Sequence, residues 1–147
     1  DDVPYLVGGA AQGGYEDIIS PPADTPLASG DVLMLDTGAT LNGYFCDFDR
    51  NFSLGAPDAA VQAAHQTLIT ATQAGFDAAK PGATMSDLFA VMIAVVNPSN
   101  ATAAAGRLGH GLGMQLTEWP SIIPADKTEL VPGMVLTLEP GIAMADD

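Results

Sequence analysis

The sequence predicts an α+β fold, because segments typical of strands stand on both sides of segments typical of helices. An apolar run and a hairpin signal occupy residues 32–53, and an alanine-rich stretch of helical character follows at 59–79. A second apolar run, at 134–138, ends directly before Glu139. No internal repeat interrupts this order, so we expect one domain over residues 1–147.

The two ends of the sequence lead to a further expectation. The chain begins at Asp1 without a methionine and stops at Asp147, soon after Pro140-Gly141 closes the last predicted strand. We therefore expect this domain to be partial, incomplete at both ends and part of a longer chain. Residues 1–30 are rich in glycine and proline, which is typical of loops and short extended pieces.

Asn42-Gly43 predicts a β-hairpin, because both central residues of a type I′ turn need positive φ. A two-residue turn fixes which residues face each other: Leu41 with Tyr44, Gly38 with Asp47, and Asp36 with Asp49. Facing residues share one side of a sheet, so the three carboxylates project together, with Asp36 and Asp47 about 7–8 Å apart at Cα. Such charges repel one another unless a cation lies among them, and a metal ion is the simplest one.

Two helices are predicted between the strands. The first is expected over 59–79, where Lys80-Pro81-Gly82 ends it. The second begins at the capping residues 84–87 and runs to Val95. The glycines of 106–113 then predict a backbone that approaches its neighbours closely or adopts unusual φ.

Composition argues against several partners. Eighteen acidic residues against four basic ones give a formal charge of −14, so we expect no binding to nucleic acid or to an anionic membrane. No apolar run approaches the length of a membrane span. The single cysteine, Cys46, excludes an internal disulfide framework and fits a reducing compartment, so the expected location is cytoplasmic.

Four ionisable residues interrupt apolar or glycine-rich segments: Asp36, Asp47, His110 and Glu139. Taken singly, each has an ordinary explanation, since Asp36 fits a turn, His110 a solvated loop and Glu139 the charged end of a strand. Taken together, carboxylates with one imidazole suit divalent manganese, cobalt, zinc or iron, and bridging carboxylates allow two ions. From the residues alone, both explanations stay open.

The combination resembles the pita-bread metallopeptidases, which include the methionine aminopeptidases, aminopeptidase P, the prolidases and the creatinases. The similarity rests on Asp36 and Asp47, on Gly109-His110-Gly111-Leu112-Gly113 and on Leu138-Glu139-Pro140-Gly141-Ile142. The short motifs around these residues are similar to those of the Xaa-Pro peptidase branch. The resemblance implies the pita-bread fold, a curved antiparallel sheet flanked by helices, with metals in its concave face.

The resemblance also implies a centre with two divalent ions. Asp36 would bind one ion, Asp47 would bridge both, and His110 and Glu139 would complete the ligands within this chain. In the family a hydroxide between the ions attacks a peptide or amide carbonyl, and the residue matching Glu139 moves a proton. The fifth ligand lies on a later strand that the sequence does not include, so we expect the chain by itself to be inactive.

Thr117 departs from the family near the substrate, because prolidase-like members carry a second histidine seven residues after the ligand histidine. With His110 and Glu139, it completes the candidate catalytic set. Its hydroxyl can donate a hydrogen bond to an oxyanion but carries no positive charge, and losing one such donor typically costs about 10²–10³ in rate. Asp49 is a second departure, since the family frequently has threonine there.

The expected activity is that of a metal-dependent hydrolase resembling Xaa-Pro dipeptidases, acting on a small peptide or amide, in a protein that forms a homodimer. Thr117 keeps open a non-peptidase member of the fold, such as a creatinase-like C–N hydrolase or a lyase acting on a small polar metabolite. A metal-free binding module is the third alternative, and the presence of all four ligand residues together argues against it.

Overall fold

The computed structural model describes residues 5–12, 14–15, 23–97 and 106–144. The elements in chain order are β1 (Tyr5–Gln12), β2 (Asp31–Gly38), β3 (Thr40–Leu41), β4 (Tyr44–Phe45), β5 (Phe48–Ser53), α1 (Ala59–Ala78), α2 (Met85–Val96), β6 (His110–Gly111) and β7 (Glu118–Ser121). The chain divides into two compact units, an N-terminal unit, Asp1–Ala63, and a C-terminal unit, Ala64–Asp147.

The N-terminal unit is built on a three-stranded antiparallel sheet in the order β1-β2-β5. The central strand β2 supplies the buried side chains of Val32 and Met34. Successive side chains of a strand point to opposite faces, and these two residues share one face. Leu35 points to the opposite face, so Asp36 lies on the same face as Val32 and Met34. The Asp36 carboxylate is therefore adjacent to the buried side chains of this strand.

The predicted hairpin forms at Asn42-Gly43. The two residues have φ angles of 53° and 84°, the positive values that a type I′ turn requires. β3 pairs with β4 so that Leu41 faces Tyr44, as predicted. Two residue pairs further from the turn, the amide of Cys46 donates a hydrogen bond to the carbonyl oxygen of Ala39 at 2.9 Å.

The same register continues into the larger sheet. β2 pairs with β5 with Asp36 opposite Asp49, which confirms the prediction made from the two-residue turn. The two ladders are separated by a short interruption, and the predicted pair of Gly38 with Asp47 falls there, outside either ladder. The residues of the turn therefore fix the alignment of the strands, and Asp47 lies immediately before β5 begins.

Strand β1 corrects the expectation of loop and short extended pieces, which was wrong for residues 5–12. Gly8 and its neighbours have low intrinsic strand propensity, but pairing with β2 along the whole length of β1 outweighs it. A Cβ atom on Gly8 would lie 2.7 Å from the backbone oxygen of Met34, so the close approach requires glycine. The parts of that expectation at residues 1–4, 13 and 16–22 lie outside the described residues.

Both helices form where the sequence predicts them. α1 ends one residue before the predicted position, and α2 begins directly after Thr84. The Thr84 side chain accepts a hydrogen bond from the Asp87 amide while the Asp87 carboxylate accepts one from the Thr84 amide, which completes a capping box. The hydrogen bonds that the Asp87 carboxylate accepts, first from the Thr84 amide and then from the Thr84 hydroxyl, lower the pKa of Asp87. Within the described residues, neither helix combines the length and apolarity needed to cross a bilayer.

The core of the C-terminal unit lies against α2. Its buried members are Met85, Leu88, Phe89, Met92, Ile93, Leu108, Ile122 and Leu130. The five from α2 repeat at intervals of three and four residues, which places them on one helical face. Leu108 and Ile122 flank the short β6-β7 sheet, so this core holds the segment that carries His110.

The strand predicted at 134–138 is not formed as a regular strand. Three backbone hydrogen bonds of 2.8 to 3.2 Å join this region to residues 108–112, but Gly111 and Leu136 form only an isolated bridge. The His110 amide donates to the side-chain hydroxyl of Thr137, where a regular antiparallel ladder would use the Thr137 backbone oxygen. One bond of the ladder is therefore replaced, and β6 pairs regularly only with β7, a strand that the sequence did not predict.

Candidate metal centre

The N-terminal unit brings three carboxylates together. Asp36 lies near the end of β2, Asp47 lies just before β5, and Asp49 faces Asp36 across the ladder. Each side chain offers one oxygen, and the three oxygens lie within 4.8 Å of one another. Asp36 and Asp47 are half-buried, whereas Asp49 is exposed. The same-face grouping expected from the hairpin is thus present.

A divalent cation fits this group on electrostatic grounds. Two unit charges about 4 Å apart repel by about 1 kcal/mol in water and by about 4 kcal/mol at an effective dielectric constant of about 20. Half-burial puts Asp36 and Asp47 between these limits. A cation shared by the two oxygens converts that repulsion into attraction, and carboxylate oxygens are suitable ligands for manganese, iron or zinc.

The C-terminal unit brings His110 and Glu139 together. His110 is only 2 % exposed, which rules out the ordinary explanation of a solvated loop residue. Its Nε2 atom lies 3.2 Å from Oε1 of Glu139, whose side chain is 29 % exposed. The glycine-rich segment therefore buries the imidazole and leaves the carboxylate accessible.

The hydrogen bond at the other ring nitrogen defines what Nε2 can do. Nδ1 of His110 lies 2.7 Å from the carbonyl oxygen of Gly111. A carbonyl oxygen can only accept, so Nδ1 carries a proton, and in the Nδ1–H tautomer the lone pair lies on Nε2. That lone pair faces a Glu139 oxygen, and two acceptors at 3.2 Å need a proton or a cation to join them. A metal ion satisfies both, and metal-binding histidines are commonly oriented in this way.

Thr137 is a residue of this site that sequence reasoning missed. Its hydroxyl oxygen accepts a hydrogen bond from the amide of His110 at 3.0 Å, and the Thr137 side chain is buried. The signal that could have found it is parity, because Thr137 precedes Glu139 by two residues and so shares its side of an extended segment.

The glycines around His110 are required by close approach, as the sequence predicts. Gly109 has a φ of 147°, and a Cβ atom there would overlap the backbone oxygen of Thr137. At Gly111 a Cβ atom would lie 2.8 Å from the backbone oxygen of Trp119. Larger residues would therefore separate the segments that hold the imidazole.

Thr117 belongs to neither of these two groups. It is exposed in the bend that precedes β7. Its neighbour Glu118 turns its carboxylate into that bend, where Oε1 accepts a hydrogen bond from the Gln115 amide at 2.7 Å. A Cβ atom on Gly113 would lie 2.9 Å from Oε2 of Glu118, so this carboxylate packs inside the bend. Glu118 thus shapes the segment that presents Thr117.

The fold and these residues place the chain in one class of protein: it belongs to metallopeptidase family M24, whose family model matches residues 8–147. The chain is 33% identical over 121 residues to the Xaa-Pro dipeptidase of Pyrococcus furiosus, covering 82% of this chain and 35% of that protein.

Solved structures of the same kind agree with the fold. Prolidase from Thermococcus sibiricus gives a TM-score of 0.89 at 28% identity and covers 98% of this chain and 40% of its own. Dipeptidase PepE from Mycobacterium ulcerans gives 0.87 at 31% identity, covering 97% and 38%. These similarities confirm the predicted pita-bread α+β fold. The chain spans little more than a third of the length of these proteins.

Proposed function

We propose that this protein is a metal-dependent hydrolase that cleaves Xaa-Pro dipeptides or closely related small peptides. Membership of family M24 supports hydrolysis, and the similarity to an Xaa-Pro dipeptidase supports the substrate class. The observation that carries the proposal is the His110–Glu139 pair, in which an imidazole with its proton directed to Gly111 faces a carboxylate at 3.2 Å. Residues 1–147 then form part of one catalytic domain.

The proposed ligands of two divalent ions are Asp36, Asp47, His110 and Glu139. The crowding of the aspartate oxygens within 4.8 Å supports the first two, and the acceptor pair of the C-terminal unit supports the others. Manganese, cobalt, zinc and iron(II) all suit this donor set. When bound, two such ions lower the pKa of water and polarise the scissile carbonyl.

The side chains of the chain have distinct proposed roles. Gly111 keeps the His110 proton on Nδ1, which directs Nε2 toward the reacting centre. The half-exposed Glu139 can accept a proton from water and deliver it to the leaving amine. Thr117 donates a hydrogen bond to the oxyanion. The proposal extends to a homodimer and to a location in the cytoplasm, and the single cysteine supports the cytoplasmic location alone.

A second candidate function is favoured by one observation. Thr117 is exposed and neutral at the position where the family resemblance implies a histidine, so we expect weaker charge stabilisation of the oxyanion. A creatinase-like C–N hydrolase acting on a small polar amide is the alternative that fits this site.

Dipeptide hydrolysis by the full-length, metal-loaded protein tests the proposal. We expect turnover of Xaa-Pro dipeptides above Xaa-Ala dipeptides, and a fall of at least about 10²-fold for Glu139→Gln, because the proton acceptor is lost. Glu129→Gln is the matched control, since Glu129 is an exposed acid of the same unit, and it should retain wild-type activity. Absence of turnover across the panel with metal bound would rule out the peptidase and leave the amide hydrolase.

A further inference from the structure

Thr137 contacts both backbone polar groups of His110. The hydroxyl oxygen accepts from the His110 amide at 3.0 Å and lies 3.4 Å from its carbonyl oxygen, to which it donates. The Thr137 amide donates to the same carbonyl oxygen at 2.9 Å. Both residues are buried, at 9 % and 2 % exposure, so water does not compete for these groups.

An independent feature holds the same two residues together. Gly109 adopts a φ of 147°, and the backbone of Thr137 occupies the space where any Cβ of residue 109 would lie. On the other side of His110, the Gly111 carbonyl oxygen holds the ring through Nδ1. Gly109 is therefore fixed by packing against Thr137, the His110 backbone by hydrogen bonds to Thr137, and the His110 ring by its hydrogen bond to Gly111.

We propose that Thr137 is a positioning residue, whose hydroxyl fixes the backbone of His110 so that Nε2 stays directed at Glu139. Packing alone does not require a hydroxyl, because valine has nearly the same shape as threonine, and the Thr137 hydroxyl bonds only to His110 in the contacts above. As far as the metal is concerned, the inference rests on the proposed function. Its geometric part, the fixed orientation of the imidazole, does not.

Cobalt binding by the full-length protein gives the first measurement. Thr137→Val should weaken Co²⁺ affinity about 10–100-fold, the usual effect of removing a group that orients a metal ligand, and Thr137→Ser should restore it to within about threefold. The matched control is Thr84→Val, which also removes a threonine hydroxyl that accepts a hydrogen bond in the same unit, but at the start of α2 and away from His110. It should leave the Co²⁺ affinity unchanged.

The imidazole resonances of metal-free protein give the second measurement and separate this inference from the proposed function. With signals assigned through His110→Asn, Thr137→Val should replace a single Nδ1-protonated form by exchange-broadened signals, and Thr137→Ser should not. A wild-type protein that binds no Co²⁺ would refute the metal centre, while the imidazole signals would still decide the role of Thr137. Should Thr137→Val not fold, Thr137→Cys, with a weak thiol donor, takes its place. Wild-type imidazole signals in the hydroxyl-free variant would overturn the proposal.

Discussion

Gly109→Ala should destabilise the C-terminal unit strongly, because its new Cβ meets backbone and not a flexible side chain. The Cβ would lie well inside 3.0 Å of the Thr137 carbonyl oxygen, a separation that real Cβ atoms essentially never show. A φ of 147° adds a conformation that costs non-glycine residues about 1–3 kcal/mol. Neither effect can be relieved by changing a rotamer.

The remaining cost comes from the segments that must separate. Residues 108–112 and 135–139 are joined by three backbone hydrogen bonds, each worth about 0.5–1.5 kcal/mol net. Losing about two of them together with the strained φ gives a total of about 2–6 kcal/mol. Because whole domains are stable by only about 5–15 kcal/mol, such a change is easily measured.

Urea unfolding of the metal-free protein, followed by circular dichroism, measures this free energy without a contribution from bound ions. The matched control is Gly106→Ala, since a Cβ at Gly106 meets nothing within 4 Å and its φ lies outside the left-handed region. It should change stability by less than about 1 kcal/mol. If Gly109→Ala were no more destabilising than Gly106→Ala, the close approach of Thr137 to residue 109 would be refuted.

Two further substitutions probe other parts of the structure. Burial raises the pKa of Asp126, but hydrogen bonds from Thr128 and Ser121 outweigh it and hold the pKa below 3.8. The ionised carboxylate therefore stabilises the fold above pH 3.8, and this stabilisation is lost as the pH falls through the lower pKa of the folded state. In urea titrations between about pH 5 and pH 3, Asp126→Asn should lose less stability than the wild type. Equal losses in the two proteins would contradict the lowered pKa of Asp126. Gly43→Ala should cost about 1–2 kcal/mol in thermal unfolding, because a φ of 84° is strained for alanine while the surrounding space is open; an unchanged melting temperature would contradict the type I′ turn.

The parts of the fold that could be predicted are those specified within a few residues. Asn42-Gly43 sets the turn, and the turn sets the register that places Asp36 opposite Asp49. The capping box at Thr84 and Asp87 likewise lies within four residues and marks the start of α2. A turn or a capping box can be predicted from the sequence because it needs no distant partner.

The parts that could not be predicted depend on distant partners. Strand β1 contains Gly8, which is unfavourable in a strand by itself, and it forms only because β2 lies beside it. The role of Thr137 depends on His110, which is 27 residues away in sequence. The apolar run at 134–138 is not a regular strand because the amide of the distant His110 donates to the Thr137 hydroxyl, where a ladder would use the Thr137 backbone oxygen.

Metal content measures the central claim most directly. Full-length protein loaded with manganese or cobalt and freed of excess metal should contain close to two ions per chain by elemental analysis. The Asp47→Ala protein should lose both ions, because the proposed bridging carboxylate is absent. Asp24→Asn, at an exposed acid of the same unit, is the control and should retain both. A loaded wild-type protein that remains metal-free, or an Asp47→Ala protein with undiminished metal content, would contradict the proposed centre.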